Sequence, residues 1–270
     1  MGSLASRRRV SPRRSSVEMN VESLDAAVRD AFGTAASARG GDGGALEALE
    51  ALKRERECWK LCLEAYGSAR TSAETKFWCL QTLTETLRDA EATTRLSEED
   101  AEALRRSVGT HVSDAATVGG GDGGGAPVFV KNKLAQVCAH AAAAEYPTRW
   151  PTFFADAANL LTRGESGVDM FTRVLEAIDE EVVATVEVGR GNRDEVARSM
   201  RMKDAMRADG SLQLVFGAWR DCLEHFKSHN PRLAARVWSV ARRYVDWVDI
   251  NIVASAEYLK CATECLALNE

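Results

Sequence analysis

The sequence predicts an all-α chain, an α-solenoid of HEAT-type helical repeats, and three observations carry that prediction. Apolar residues recur at intervals of three and four throughout, with no convincing period-two alternation. The composition is rich in alanine, 45% hydrophobic, and holds only five prolines in 270 residues, which favours helices over turns and strands. Helical segments come in pairs joined by short turns, and the second members begin near residues 45, 73, 128, 168 and 231. That spacing of about 47 residues is near the period of HEAT-type repeats and gives about five to six helix pairs. An irregular helical bundle is the alternative that periodicity alone leaves open.

In chain order, residues 1–16 (MGSLASRRRVSPRRSS) form a leader with five arginines and no acid. It reads as a disordered basic arm or, less well, as a transit peptide interrupted by Pro12. The repeat region is 17–270, whose net charge is −10 against −5 for the whole chain. A helix is expected over 18–32, a flexible loop at GGDGG 40–44, and a helix over 45–65. Phe77, Leu80, Leu83, Thr84 and Leu87 mark the next helix, followed by one over 98–111. A second flexible loop, GGGDGGG 119–125, precedes helix 128–144. In EYPTRWPTFFADAANLL 145–161, Pro147 and Pro151 each disfavour helical geometry at the residue before them, so one helix stops and another starts there. Trp150, Phe153 and Phe154 then supply large apolar area at a corner between helix pairs. Helices are expected over 152–162, along Phe171, Leu175, Ile178 and Val182, over 193–227, along Leu233, Val237, Val240, Tyr244 and Trp247, and over 249–267.

Several function classes are excluded. The acidic body argues against a sequence-independent DNA coat. Seven cysteines at 58, 62, 79, 138, 222, 261 and 265 follow no secretory apolar region, so a reducing compartment without structural disulfides is expected. No apolar run reaches the length needed for membrane insertion. Ala126-Pro127 follows the second glycine patch where a phosphate-cradling loop would need GK[ST]. Cys222, His225 and His229 share one helical face as three possible zinc ligands, yet no fourth ligand is identifiable and no HExxH occurs. With no nucleophile and base arrangement either, no catalytic site, cofactor or metal is expected.

KFWCLQTL 76–83, VKNKLAQV 130–137, YPTRWPTFF 146–154, VDMFTRVLEAIDEEVV 168–183, KDAMR 203–207 and RRYVDWVDINIV 242–253 occur in this order. Together they resemble the N-terminal region of the importin-β superfamily. FTRVLEAIDEEVV, KDAMR and RRYVDWVDINIV point within it to the tRNA exporters of the exportin-T family. The resemblance covers about residues 45–267 and implies a right-handed superhelix, with first helices on the convex and second helices on the concave face. It implies a monomer that binds a Ran-type GTPase in its GTP state through the N-terminal repeats and tRNA along the inner surface. Contact with nuclear pore components and shuttling between nucleus and cytoplasm are implied too. Family members are several times longer, so a fragment or a truncated gene model is expected. A transport receptor for another cargo and a HEAT scaffold outside transport are the other readings.

On the second helix of the second pair, Phe77, Leu80, Thr84 and Leu87 are read as the buried stripe. Trp78, Gln81 and Glu85 then lie on another arc, where the GTPase would meet them unless Trp78 packs on the neighbouring repeat. Lys131, Asn132 and Lys133 open the following second helix, with cations poorly placed against its positive end. They are read as GTPase contacts or as solvated residues. Glu176, Asp179, Glu180 and Glu181 form an acidic run, read as a surface for a basic patch of the GTPase or as a solvated face. Arg232, Arg236 and Arg243 share one stripe suited to RNA phosphates, although salt bridges between repeats would explain the same arginines.

Overall fold

The computed structural model describes residues 19–32, 43–117, 126–184, 189 and 191–267. The leader 1–16, the loop 119–125 and the first part of loop 40–44 lie outside the described residues. Among the described residues all regular structure is helical. The main elements are α1 (Val21–Phe32), α2 (Gly43–Lys53), α3 (Cys58–Gly67), α4 (Ala73–Arg88), α5 (Glu98–Ala115), α6 (Val128–Glu145) and α7 (Phe153–Asn159). They continue as α8 (Gly164–Ile178), α9 (Arg193–Ala208), α10 (Ser211–His229), α11 (Pro231–Tyr244) and α12 (Ala256–Ala267). A π-helical turn, Asp179–Val183, extends α8.

Sequential pairing organises these elements. α1 packs on α2, α3 on α4, α5 on α6, and α10 on α11, while α7 and the 3₁₀ turn Leu160–Arg163 pack on α8. The second members α4, α6, α8 and α11 lie side by side in one row, the arrangement of an α-solenoid of HEAT-type pairs. Central to the row, α6 meets α4 on one side, α8 on the other and α5 behind. It buries Val130, Leu134, Val137 and Cys138 together with Ala135, Ala139, Ala141, Ala142 and Ala143. Alanines on so many sides let the neighbours approach closely, since interaxial distance follows side-chain size.

Local chemistry explains most boundaries. Ser72 caps α4 by accepting from Thr75 N, and Ser97 caps α5 by accepting from Asp100 N. Asn192 and Glu195 form a capping box at α9, and Pro231 sits in the first turn of α11. Tyr146 has extended backbone before Pro147, across a cis bond, and ends α6 as the proline predicts. At the corner that follows, Trp150 and Phe153 rings stand 4.9 Å apart, as do Phe153 and Phe154, and Trp150 Nε1 donates to Asp156 at 2.8 Å.

Three expected helices are broken. Instead of one helix over 45–65, α2 and α3 are separated at Arg54–Glu57, where Lys53-Arg54-Glu55-Arg56-Glu57 offers no apolar residue to bury. Residues 193–227 turn between α9 and α10 at Asp209-Gly210, the glycine taking a left-handed φ of 83°. Residues 249–267 divide into a short helix, Ile250–Val253, and α12. Loop 40–44 is shorter than expected, because Gly43 and Gly44 already belong to α2.

Two contacts fix how helices meet, one between successive pairs and one within a pair. Asp25 on α1 accepts from the amide of Ser72, the cap of α4, at 2.9 Å and also pairs with Arg29. Burial alone would raise the Asp25 carboxyl, but hydrogen bonds from Ser72, Thr75 and Arg29 outweigh it and bring the pKa down to about 2. At Gly167, α8 passes against the Leu160 carbonyl so closely that a Cβ would overlap it.

Gly167→Ala is expected to lower stability by about 2–3 kcal/mol in chemical denaturation, since backbone rather than a flexible side chain would have to move. Asp25→Asn is expected to cost about 1–2 kcal/mol near neutral pH. Because the folded carboxyl is depressed, its contribution is present above the ordinary aspartate range and is lost as the pH falls toward 2. The difference between wild type and Asp25→Asn should therefore narrow on acidification; a constant difference would contradict the assignment.

Candidate interaction face

The second helices leave a single exposed arc each, and these arcs form one face. On α4 the arc is Glu74, Phe77, Gln81, Glu85 and Arg88, spaced three and four apart. On α6 it runs through Phe129, Asn132 and Gln136; on α8 and its π turn through Asp169, Glu176 and Glu180; on α11 through Arg232, Arg236 and Arg243. Most residues singled out from the sequence therefore come together on this face: Gln81, Glu85, Asn132, Glu176, Glu180 and the three arginines.

Trp78 does not. Its side chain is buried, with 7% exposure, below the Lys53 ammonium at 5.9 Å, whereas Phe77, expected in the core, is 38% exposed. The reason is that α4 is covered by α1, α3 and α6, so its buried arc is wider than one stripe and takes in Trp78. Lys131 and Lys133 are also buried for most of their length rather than solvated. Lys133 Nζ donates to Gln136 Oε1 at 2.9 Å, and burial lowers its pKa against the opposing pull of Glu181 and Glu85. Asp179 is buried and lies 3.5 Å from Arg243 Nη1.

The acidic run and the arginine stripe, read from the sequence as two separate surfaces, meet each other. Arg173 on α8 donates to Asn132 on α6 and holds Asp169 through two bonds of 2.8 and 3.0 Å. Arg236 on α11 bridges Asp169 at 2.6 Å and Glu176 at 3.3 Å. Arg243, two turns further along α11, reaches Glu176 at 3.3 Å and Glu180 at 2.7 Å. The hydrogen bond to Glu180 raises the Arg243 pKa beyond its ordinary value. A continuous ladder thus crosses α6, α8 and α11, and beneath it Tyr244 donates to the Leu175 carbonyl at 2.7 Å. Arg232 stays exposed at the start of α11, outside the ladder. At the other end of the face Lys53 pairs with Glu85 at 3.1 Å.

Two features of this face were missed in the sequence. Phe77 and Phe129 stand with ring centroids 5.7 Å apart, both exposed, at the N-terminal ends of α4 and α6. Val128-Phe129-Val130 was the available signal, since three successive apolar residues cannot share one helical arc. The other is α9, which lies across the C-terminal ends of the row. Arg198 donates to Leu87 O at 2.8 Å, Arg201 to Ala143 O at 3.0 Å and Arg207 to Trp247 O at 2.9 Å. Carbonyls at helix ends lack intrahelical donors and carry the negative end of the dipole, so guanidinium groups suit them. Glu195 adds an ion pair to Arg88 at 3.1 Å, and Lys203 lies 5.3 Å from the Trp247 ring.

The zinc reading of Cys222, His225 and His229 gains nothing. Cys222 is buried, the two imidazoles stack at 5.5 Å, and His229 Nδ1 is 2.9 Å from the His225 carbonyl. Among the described residues no group of three or more His, Cys, Asp or Glu is placed to hold a metal, and no helix is long and apolar enough to cross a membrane.

Arg236→Ala should lower stability by about 1–2 kcal/mol in chemical denaturation, because it leaves Asp169 and Glu176 short of a partner in a half-buried setting. Arg232→Ala should stay within about 0.5 kcal/mol of wild type. Equal effects would mean that the ladder does not couple the repeats.

Comparison with known proteins agrees with this architecture. Residues 127–270 match the model of the family described as Exportin 1-like protein. Exportin-T of Arabidopsis thaliana is 32% identical over 250 residues, covering 91% of this chain and 24% of the relative. Exportin-T of Homo sapiens is 29% identical over 218 residues, 80% of this chain and 22% of the relative. Exportin-T of Dictyostelium discoideum is 31% identical over 215 residues, 80% of this chain and 19% of the relative. The chain thus spans about a quarter or less of the length of these relatives. With the family model matched over more than half of its length and laid on a solenoid of paired helices, the chain belongs to the exportin 1-like family.

Proposed function

We propose that this chain serves in a nuclear export receptor, binding a Ran-type GTPase in its GTP state through its N-terminal repeats and contributing to capture of tRNA. The observation that carries the reading is the match to relatives named exportin-T along 80–91% of the chain. It is supported by the row of second helices, whose exposed arcs gather polar and charged residues on one continuous face. Gln81, Glu85 and Asn132 are the proposed GTPase contacts on α4 and α6, and Phe77 replaces Trp78 as the apolar anchor because it is the exposed one. Contacts with nuclear pore components and shuttling between nucleus and cytoplasm belong to the same proposal.

The ladder qualifies the share of RNA binding assigned to this segment. Arg236 and Arg243 already hold carboxylates, so an RNA phosphate has to displace Asp169, Glu176 or Glu180 to reach them. Arg232 is open to a phosphate without such competition. That pairing favours a second reading, in which this segment takes the GTPase and the cargo is held elsewhere or is not RNA.

Two measurements test these readings. In a pull-down at low salt, a GTP-locked Ran-type GTPase should be retained and the GDP-bound form should not; equal retention of both removes the transport reading. Phe77→Ala should weaken retention about tenfold or more, as loss of an aromatic anchor does. In a tRNA-binding titration, the double variant Glu176→Gln, Glu180→Gln should bind about three- to tenfold tighter than wild type with a steeper salt dependence, because two arginines become available to phosphates. Unchanged affinity removes Arg236 and Arg243 from the RNA site.

A further inference from the structure

The first turn of α3 holds a pair of thiols that the proposed transport role does not use. Cys58 Sγ and Cys62 Sγ are 3.8 Å apart, one turn from each other on the same helix. Cys58 is the first residue of α3 and is 5% exposed, whereas Cys62 and Cys79 behind it are fully enclosed. We propose that Cys58 is a peroxide-sensitive thiol and Cys62 its resolving partner, so that oxidation joins the two as a disulfide at the start of α3.

The surroundings suit both roles. A helix N-terminus stabilises a thiolate, and Cys58 sits at one. A hydrogen bond from Cys62 lowers the Cys58 pKa, burial opposes it, and the nearby Lys53 ammonium adds to the lowering. Cys62 is pushed the other way by the same contact, by Cys79 and by burial, so it keeps its proton. Elsewhere burial acts with little compensation and pushes the Cys138 thiol up to about 12 and the Cys222 thiol up to about 11. Thiolate character and the facing Cys62 sulfur at 3.8 Å therefore single out Cys58.

The chemistry balances with a peroxide as oxidant. The Cys58 thiolate attacks one peroxide oxygen, the O–O bond breaks, and the departing hydroxide takes up a proton as water; sulfur loses two electrons and becomes a sulfenic acid. Cys62 sulfur then attacks Cys58 sulfur. The S–O bond breaks, and the hydroxyl leaves as a second water with the Cys62 proton. A regular helix holds residues four apart at about 5–6 Å between Cβ atoms, whereas a disulfide needs about 3.5–4.5 Å, so one end has to move. Cys58 is the end that can: its amide bonds to Glu55 O in the preceding turn, and Glu57 offers no side-chain cap. That turn also leads from Lys53, which meets Glu85 on the exposed face, so the oxidised state reaches the face through Arg54–Glu57.

The test is peptide mapping after graded hydrogen peroxide, alkylation of remaining thiols and tryptic digestion without reductant. Trypsin cuts after Arg56, Lys60 and Arg70, so the disulfide would appear as fragment 57–60 joined to fragment 61–70, two hydrogens lighter than the separate pair. The joined fragment is expected at doses that leave Cys138 and Cys222 fully alkylated, and it should vanish in Cys58→Ser and in Cys62→Ser. Circular dichroism checks that these variants fold, and Cys58→Ala replaces Cys58→Ser if that variant does not. Cys58 that stays reduced at those doses, carries oxygen without a link, or links to another cysteine would overturn the proposal.

Discussion

The inner second helices α6 and α8 are each held between the second helices before and after them, and that lateral enclosure governs the rest. A helix covered from three sides cannot keep a narrow apolar stripe. It needs side chains small enough for neighbours to close in, and any polar group outside the one open arc has to be buried. α6 shows both, with alanines at 135, 139 and 141–143, Asn132 and Gln136 on the open arc, and Lys131, Lys133, His140 and Glu145 buried. Within its own pair α8 approaches the preceding turn just as closely, leaving no room for a Cβ at Gly167, while the lateral packing makes the solvent-facing arcs a single surface instead of isolated ridges.

This enclosure also decides what could be read before the structure. Pairing and its period were legible in part because Ser97 and Pro151 mark the starts of two pairs and Pro147 the end of one. The corner at 145–161 was legible in detail, since two prolines restrict the residues before them regardless of tertiary context. Arcs were less legible. Phe77 and Trp78 are adjacent and equally apolar, and only the positions of α1, α3 and α6 decide which one is covered. Lys131 and Lys133 illustrate the same point for charge, because both are buried despite their ammonium groups, and that of Lys133 reaches Gln136. The separateness of α9 from α10 was written in Asp209-Gly210, yet a glycine inside an otherwise periodic run is ambiguous until its φ is known.

Charge balance takes on a different meaning once the ladder is seen. The net −10 of residues 17–270 suggested an acidic exterior with a basic stripe elsewhere. Instead the acids of α8 and its π turn lie against the arginines of α11, and both signs are spent on joining successive pairs. Side chains 60 to 67 residues apart in sequence meet this way, which no spacing rule within one helix could reveal.

The lateral helix α9 has an energetic consequence for the whole row. Solenoids are ordinarily additive along their axis, each unit coupled only to its neighbours, so that they can fray from one end while the remainder persists. Here one helix ties Leu87, Ala143 and Trp247, positions separated from their arginine partners by 111, 58 and 40 residues. Losing any unit between α4 and α11 strips α9 of part of its support, and losing α9 exposes carbonyls on several units at once. The segment is thereby drawn from a chain of semi-independent modules toward one cooperative block.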